Sequence, residues 1–167
     1  MTLPLHISPA NAAAHEGARR GTFPHMGPQD AAVWRAALAE GLIQAERFTY
    51  DVRLGGALGR LVTSGHELSG MWLNLMKKRI DVVAWSGLMP TVIEVKPVGS
   101  FAALGQCLGY GYLWEQKHSK GPKPKLCCVC AICDPDLKPA FAAFGVQVVE
   151  LSPSEAERVL MPVRVRD

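Results

Sequence analysis

No run of about 18 apolar residues occurs in the 167-residue chain, so no bilayer-spanning helix is expected. The N-terminus lacks a basic segment followed by a hydrophobic one, which argues against a secretory leader. A cytoplasmic protein is expected, or a virion component if the chain is phage-encoded. A large charge excess is missing too: 18 Lys and Arg against 15 Asp and Glu give +3, which permits contact with polyanions without implying it. None of the five histidines pairs with another at ligand spacing, so surface or loop positions are expected for them. What the chain does have is apolar residues, 49% of the total, enough for one sizeable core but not for two ordinary domains.

Four of the five cysteines crowd into "CCVCAIC", as Cys127, Cys128, Cys130 and Cys133. Two overlapping C-x-x-C spacings invite a metal reading. Against it, neighbouring strand residues point to opposite faces, and a continuous apolar run of this length fits a core strand whose thiols pack as small hydrophobes. The positive residues form three groups: Lys77, Lys78 and Arg79; the loop carrying Lys117, Lys120, Lys123 and Lys125; and Arg164 with Arg166. They either line one groove or form three solvated loops.

Residues 1–27, rich in Pro, Ala and Gly without an apolar period, read as an extended arm, and residues 28–167 as one domain. A helix opens at Gln29 or Asp30, with Val33, Trp34, Ala37, Leu38 and Leu42 on its apolar face and Gly41 weakening its end. "RFTYDVRL" alternates Phe48, Tyr50, Val52 and Leu54 on one side, the period of a half-buried strand. Residues 57–78 suggest no element. Strands "IDVVAW" and "TVIEVK" then flank a turn, and a helix capped by Ser100 runs to about Gln116, with Phe101, Leu104, Leu108 and Tyr112 as one stripe. The cysteine strand, a short helix, strand "VQVVEL" and a helix capped by Ser152 or Ser154 complete an α/β fold, a mixed central β-sheet flanked by helices.

Chemistry concentrates in "RIDVVAWSGLMPTVIEVKP", residues 79–97. Residues two apart on a strand share a face, so Glu94 and Lys96 project together. If the two strands form a hairpin, Asp81 approaches them. Hard oxygen ligands of this kind suit Mg²⁺ or Mn²⁺, and a lysine beside them can steady developing charge. An acid-x-lysine pair is also common on the solvent face of an edge strand; here Asp81, Pro97 ending the strand, and a helix starting four residues after Lys96 add weight.

Asp81, "EVK" at residues 94–96, and Gln106 with Tyr110 four apart on the next helix resemble the PD-(D/E)XK nuclease superfamily, in particular phage and recombination-type branches with a Q-x-x-x-Y helix. The resemblance implies a restriction-endonuclease-like core that cleaves DNA. It implies that Asp81, Glu94 and the Val95 carbonyl hold the ion, that Lys96 assists catalysis, and that Gln106 supports the site. Lys77, Lys78, Arg79, Ser100, Tyr110 and the lysines of residues 117–125 would contact DNA, and two-strand cutting would need a homodimer or larger assembly, the arm reaching a neighbour. Two departures stand out. Ile80 replaces the proline before the Asp, and the first-helix glutamate is absent, leaving Asp30, Glu40 or no fourth acid. A non-catalytic structural component with a nuclease-like fold, for instance in a phage particle, and a plain nucleic-acid-binding module are the competing functions.

Overall fold

Pro28 in the first turn and Gly41 just past the end bound the first helix, α1 (Pro28–Ala39), as their backbone preferences require. Gly41 takes φ +69°, and its N–H and that of Leu42 return to the carbonyls of Leu38 and Ala37 at 3.2 and 3.0 Å. The chain turns out of the helix there, so Leu42 no longer follows the helical stripe and is 39% exposed, contrary to expectation. Val33, Trp34, Ala37 and Leu38 are buried as their spacing predicts. This computed structural model describes residues 21, 23, 25–55 and 77–161. Most of the expected N-terminal arm, His6, His15 and His66, residues 57–76 of the unassigned segment, and Arg164 with Arg166 lie outside them.

The remaining elements are β1 (Arg47–Leu54), β2 (Lys78–Ser86), β3 (Met89–Gly99), α2 (Phe101–Lys117), β4 (Lys125–Cys133), α3 (Lys138–Ala143), β5 (Val146–Glu150) and α4 (Pro153–Leu160). The strands form a mixed sheet in the order β1-β2-β3-β4-β5, antiparallel on the β1–β2–β3 side and parallel on the β3–β4–β5 side. Helices cover both faces. Trp34 of α1 and Val159 of α4 pack with Ile93, Val95 and Val129, while Leu104 and Cys107 of α2 pack with Phe141 of α3 and Cys128 of β4. Continuous apolar runs in β3 and β4 are what a strand buried on both faces needs. All five cysteines are free and buried in this core, as the strand reading of "CCVCAIC" predicts.

Four expectations need correction. Phe48 and Tyr50 pack on the α1 side, whereas Val52 and Leu54 pack on the α2 side, so β1 does not keep one apolar face. The switch falls at Asp51, which adopts φ +52° and, with Asp81 opposite, is skipped by the β1–β2 ladder. Pro97 does not end β3: pairing with β4 continues through Lys96↔Cys130 and Val98↔Ile132. The Val95 N–H points toward β2, and by strand alternation so does the Pro97 nitrogen. The β2 ladder has stopped at Val82↔Ile93, so the missing N–H costs no bond there. On α2 the buried stripe is Ala103, Leu104, Cys107, Tyr110, Gly111 and Trp114, leaving Phe101 and Tyr112 at 77% and 66% exposed. Ser100 occupies the N-cap position of α2 but its hydroxyl makes no capping bond; Ser152 does cap α4, accepting from the Glu155 N–H.

Candidate metal-binding site

The hairpin turn at Gly87 and Leu88 aligns Val82 with Ile93, and beyond that pair the regular ladder ends. Asp81 fills the gap with its side chain, Oδ2 accepting the Val95 N–H at 3.0 Å. The acid is thereby fixed beside the strand that carries Glu94 and Lys96. Lys96 Nζ lies 2.7 Å from Glu94 Oε1, 4.0 Å from Asp81 Oδ2 and 3.8 Å from Asp30 Oδ2. Three elements thus converge: β2, β3 and the first turn of α1.

Asp30 is the first-helix acid that reaches this cluster. Glu40, the alternative, is engaged elsewhere, accepting the Ser152 N–H at 3.1 Å.

Glu94 is the unusual group. It is 1% exposed, with the Lys96 ammonium 2.7 Å from Oε1 and the Asp81 carboxyl group beside it. Burial first, then the charge of Asp81, pushes its pKa up to about 8 against the pull of Lys96. Asp81 is also raised, by burial, with the Val95 N–H and the Lys96 charge opposing. Burial weakens the hold of Lys96 on its proton, but Glu94 and the two aspartates outweigh that and raise its pKa.

Gln106 and Tyr110 project from α2 toward the same region. The Gln106 amide donates to the Tyr110 hydroxyl at 3.2 Å, so among the described residues its partner is Tyr110 and not Lys96. The nearby carboxylates add to burial in raising the Tyr110 pKa. Beside this pair a groove of about 400 Å³ is bordered by Lys78, Ala102, Gln106, Tyr110 and Leu113. Of the basic residues, Lys78 borders this groove, Arg79 approaches Asp51 at 3.7 Å, and Lys117 donates to the Arg53 carbonyl at 3.2 Å. Lys125 is level with Thr91, five residues before Lys96, or about 17 Å along the strand. The loop with Lys120 and Lys123 leads into Lys125, so these three are not brought to the acids.

A second polar cluster escaped the sequence reading. Asp51 is met by His25 Nε2 at 2.9 Å and by Arg53 and Arg79 at 3.4 and 3.7 Å, and Arg79 also contacts His25 Nδ1. The available signal was an aspartate inside an otherwise alternating strand, one of the residue types that tolerates positive φ.

Asp30, Asp81, Glu94 and the Val95 carbonyl are oxygen donors of the kind that Mg²⁺ and Mn²⁺ take, and the three carboxylates gather around the Lys96 ammonium. Among the described residues, no three His, Cys, Asp or Glu side chains form a ready-made ion cage. Mg²⁺ does not require one, since one or two carboxylates with waters and substrate phosphates suffice. No protein-family model, curated protein or solved structure matches the chain.

Proposed function

We propose that the chain is a metal-dependent deoxyribonuclease that hydrolyses phosphodiester bonds, with the PD-(D/E)XK arrangement that its motif resembles. The observation that carries this reading is the buried carboxylate of Glu94, gathered with those of Asp81 and Asp30 around the Lys96 ammonium. A buried charge is tolerated only with compensation. Three carboxylates less one ammonium leave two negative charges when all ionise, the complement of a divalent ion.

A Mg²⁺ or Mn²⁺ ion there would lower the pKa of a bound water and polarise the phosphodiester. Asp81 and Glu94 would hold it with the Val95 carbonyl, and Asp30 would border it. The Val95 N–H keeps Asp81 from swinging away from the cluster. Lys96, its proton held firmly by the acids, offers an ammonium to the attacking water or to the phosphoryl oxygens. Gln106 acts through Tyr110 on the groove side. Lys77, Lys78, Arg79 and Lys117 would take phosphates near the cut, with Ser100 at the start of α2. Lys120, Lys123 and Lys125 would meet the strand only farther away. Cleaving both strands calls for a second active site, hence a homodimer.

A second reading has one observation in its favour: Lys96 already stands within 4.0 Å of three acids, as a purely structural ion cluster would have it. In that case the chain is a non-catalytic component of an assembly. Incubation of single-stranded, branched and duplex DNA with Mg²⁺ or Mn²⁺ separates the two, with Lys96→Ala as control. Metal-dependent cleavage that the variant lacks is expected; no cleavage of any substrate would leave the structural reading.

A further inference from the structure

A cavity of about 250 Å³ lies directly beside the acid cluster, lined by Phe23, His25, Met26, Tyr50, Asp51 and Asp81. We propose that it takes one unpaired nucleobase of the substrate strand, an inference that rests on the nuclease reading and names the substrate class: nucleic acid with a base free of the stack.

Size and wall chemistry select the ligand. Sites for drug-sized molecules run to roughly 300–1,000 Å³, so this cavity holds about one planar ring system. Phe23, Met26 and Tyr50 make its walls apolar, unsuited to a phosphate and suited to a heterocycle, which an aromatic face binds by stacking. The Phe23 and Tyr50 rings lie 5.0 Å apart, and the Arg35 guanidinium covers Phe23 at 5.1 Å, so the wall is braced from behind.

The polar side is equally fixed. Asp51 is held at φ +52° by His25, Arg53 and Arg79, a backbone conformation uncommon outside glycine and recurrent at functional sites. His25 stands between Arg79 and Asp51, its Nδ1 against the guanidinium and its Nε2 2.9 Å from Asp51 Oδ2. Arg53 and Arg79 remain partly exposed, with room for a neighbouring phosphate.

Adjacency gives the cavity its meaning. Asp81 is both a wall of the cavity and a member of the acid cluster, so a base seated there places its own phosphate within reach of Glu94 and Lys96. A base stacked and paired in continuous duplex cannot enter without being extruded. Single strands, frayed ends and mismatches are therefore the preferred substrates.

The test is binding of a short single-stranded oligodeoxynucleotide in Ca²⁺, with an abasic residue moved along it one position at a time. One position is expected to weaken binding at least about tenfold, the scale of a single base–aromatic stack. Met26→Trp, which fills the cavity, should flatten that profile. If the variant does not fold, the Met26 methyl resonance of the parent protein substitutes, and should shift with the intact strand but not with the strand abasic at that position. Equal losses at every position, a profile unchanged in Met26→Trp, a methyl that does not respond, or no binding at all would overturn the inference. Hydrolysis of a base-free phosphodiester in Mn²⁺ distinguishes the failures: if it persists, the cavity assignment has failed and the metal-site reading stands.

Discussion

The backbone N–H of Val95 donates to Asp81 Oδ2 at 3.0 Å, so an acidic side chain on β2 takes the place of the next ladder bond to β3. That bond explains how a carboxylate can sit within a largely apolar hairpin: it gives one oxygen a backbone donor while Glu94 and Lys96 stand beside the group. Asp81→Asn keeps an acceptor for Val95 and is expected to retain stability while losing divalent-ion binding. Asp81→Ala orphans the N–H and is expected to cost about 1–3 kcal/mol in addition. Urea unfolding of the two variants checks the difference.

Glu94 makes the metal-free protein less stable as pH rises. Its folded pKa of about 8 exceeds the usual 4.5, so the folded state keeps a proton that the unfolded chain releases. The contribution is fully present below about pH 4.5 and is lost on the way to pH 8. The expected loss is on the order of a few kcal/mol. Glu94→Gln should flatten the slope in chelator-treated protein across that window, followed by chemical denaturation.

Gly99 joins β3 to α2 at a close approach to the cysteine strand, where a side chain would crowd its neighbours. A Cβ there would stand 3.0 Å from Cys133 Sγ and 3.2 Å from Cys130 Sγ. Gly99→Ala is expected to destabilise by about 1–3 kcal/mol, and Cys133→Ala in the same chain to restore part of it. Melting temperatures of the single and double variants test the contact.

The cysteines are expected to behave as core. Burial pushes the Cys127 thiol up to about 12 and Cys133 to about 11, and contacts among Cys107, Cys128 and Cys130 hold the middle pair up as well. Since the thiolate is the reactive form, a thiol reagent should label the native protein slowly, with all five reacting on denaturation. Fast labelling of the folded protein, or zinc retained by it, would contradict the packing.

The order of strands and helices was legible in the sequence because strand and helix periods are local, and the caps at Gly41 and Ser152 fall where turn chemistry puts them. The pairing of Glu94 with Lys96 was legible for the same reason, and the reach of Asp81 followed from a short hairpin. Asp30 against Glu40 was not, since the choice depends on how α1 crosses the sheet. Nor was the face change in β1: one left-handed residue, Asp51, reverses an alternation that reads perfectly regular in the sequence. Phe101 and Tyr112 misled because α2 presents apolar residues around most of its circumference, and only the sheet decides which of them it covers.

Titration of the protein with Mn²⁺, read by electron paramagnetic resonance, addresses the acid cluster itself and does not depend on finding the right DNA. Protons compete for Glu94, so binding is expected to tighten as pH rises toward 8, and to be lost in Asp81→Asn and Glu94→Gln. Mn²⁺ that fails to bind at pH 8, or that binds both variants as it does the parent, would contradict a metal site at Asp81 and Glu94.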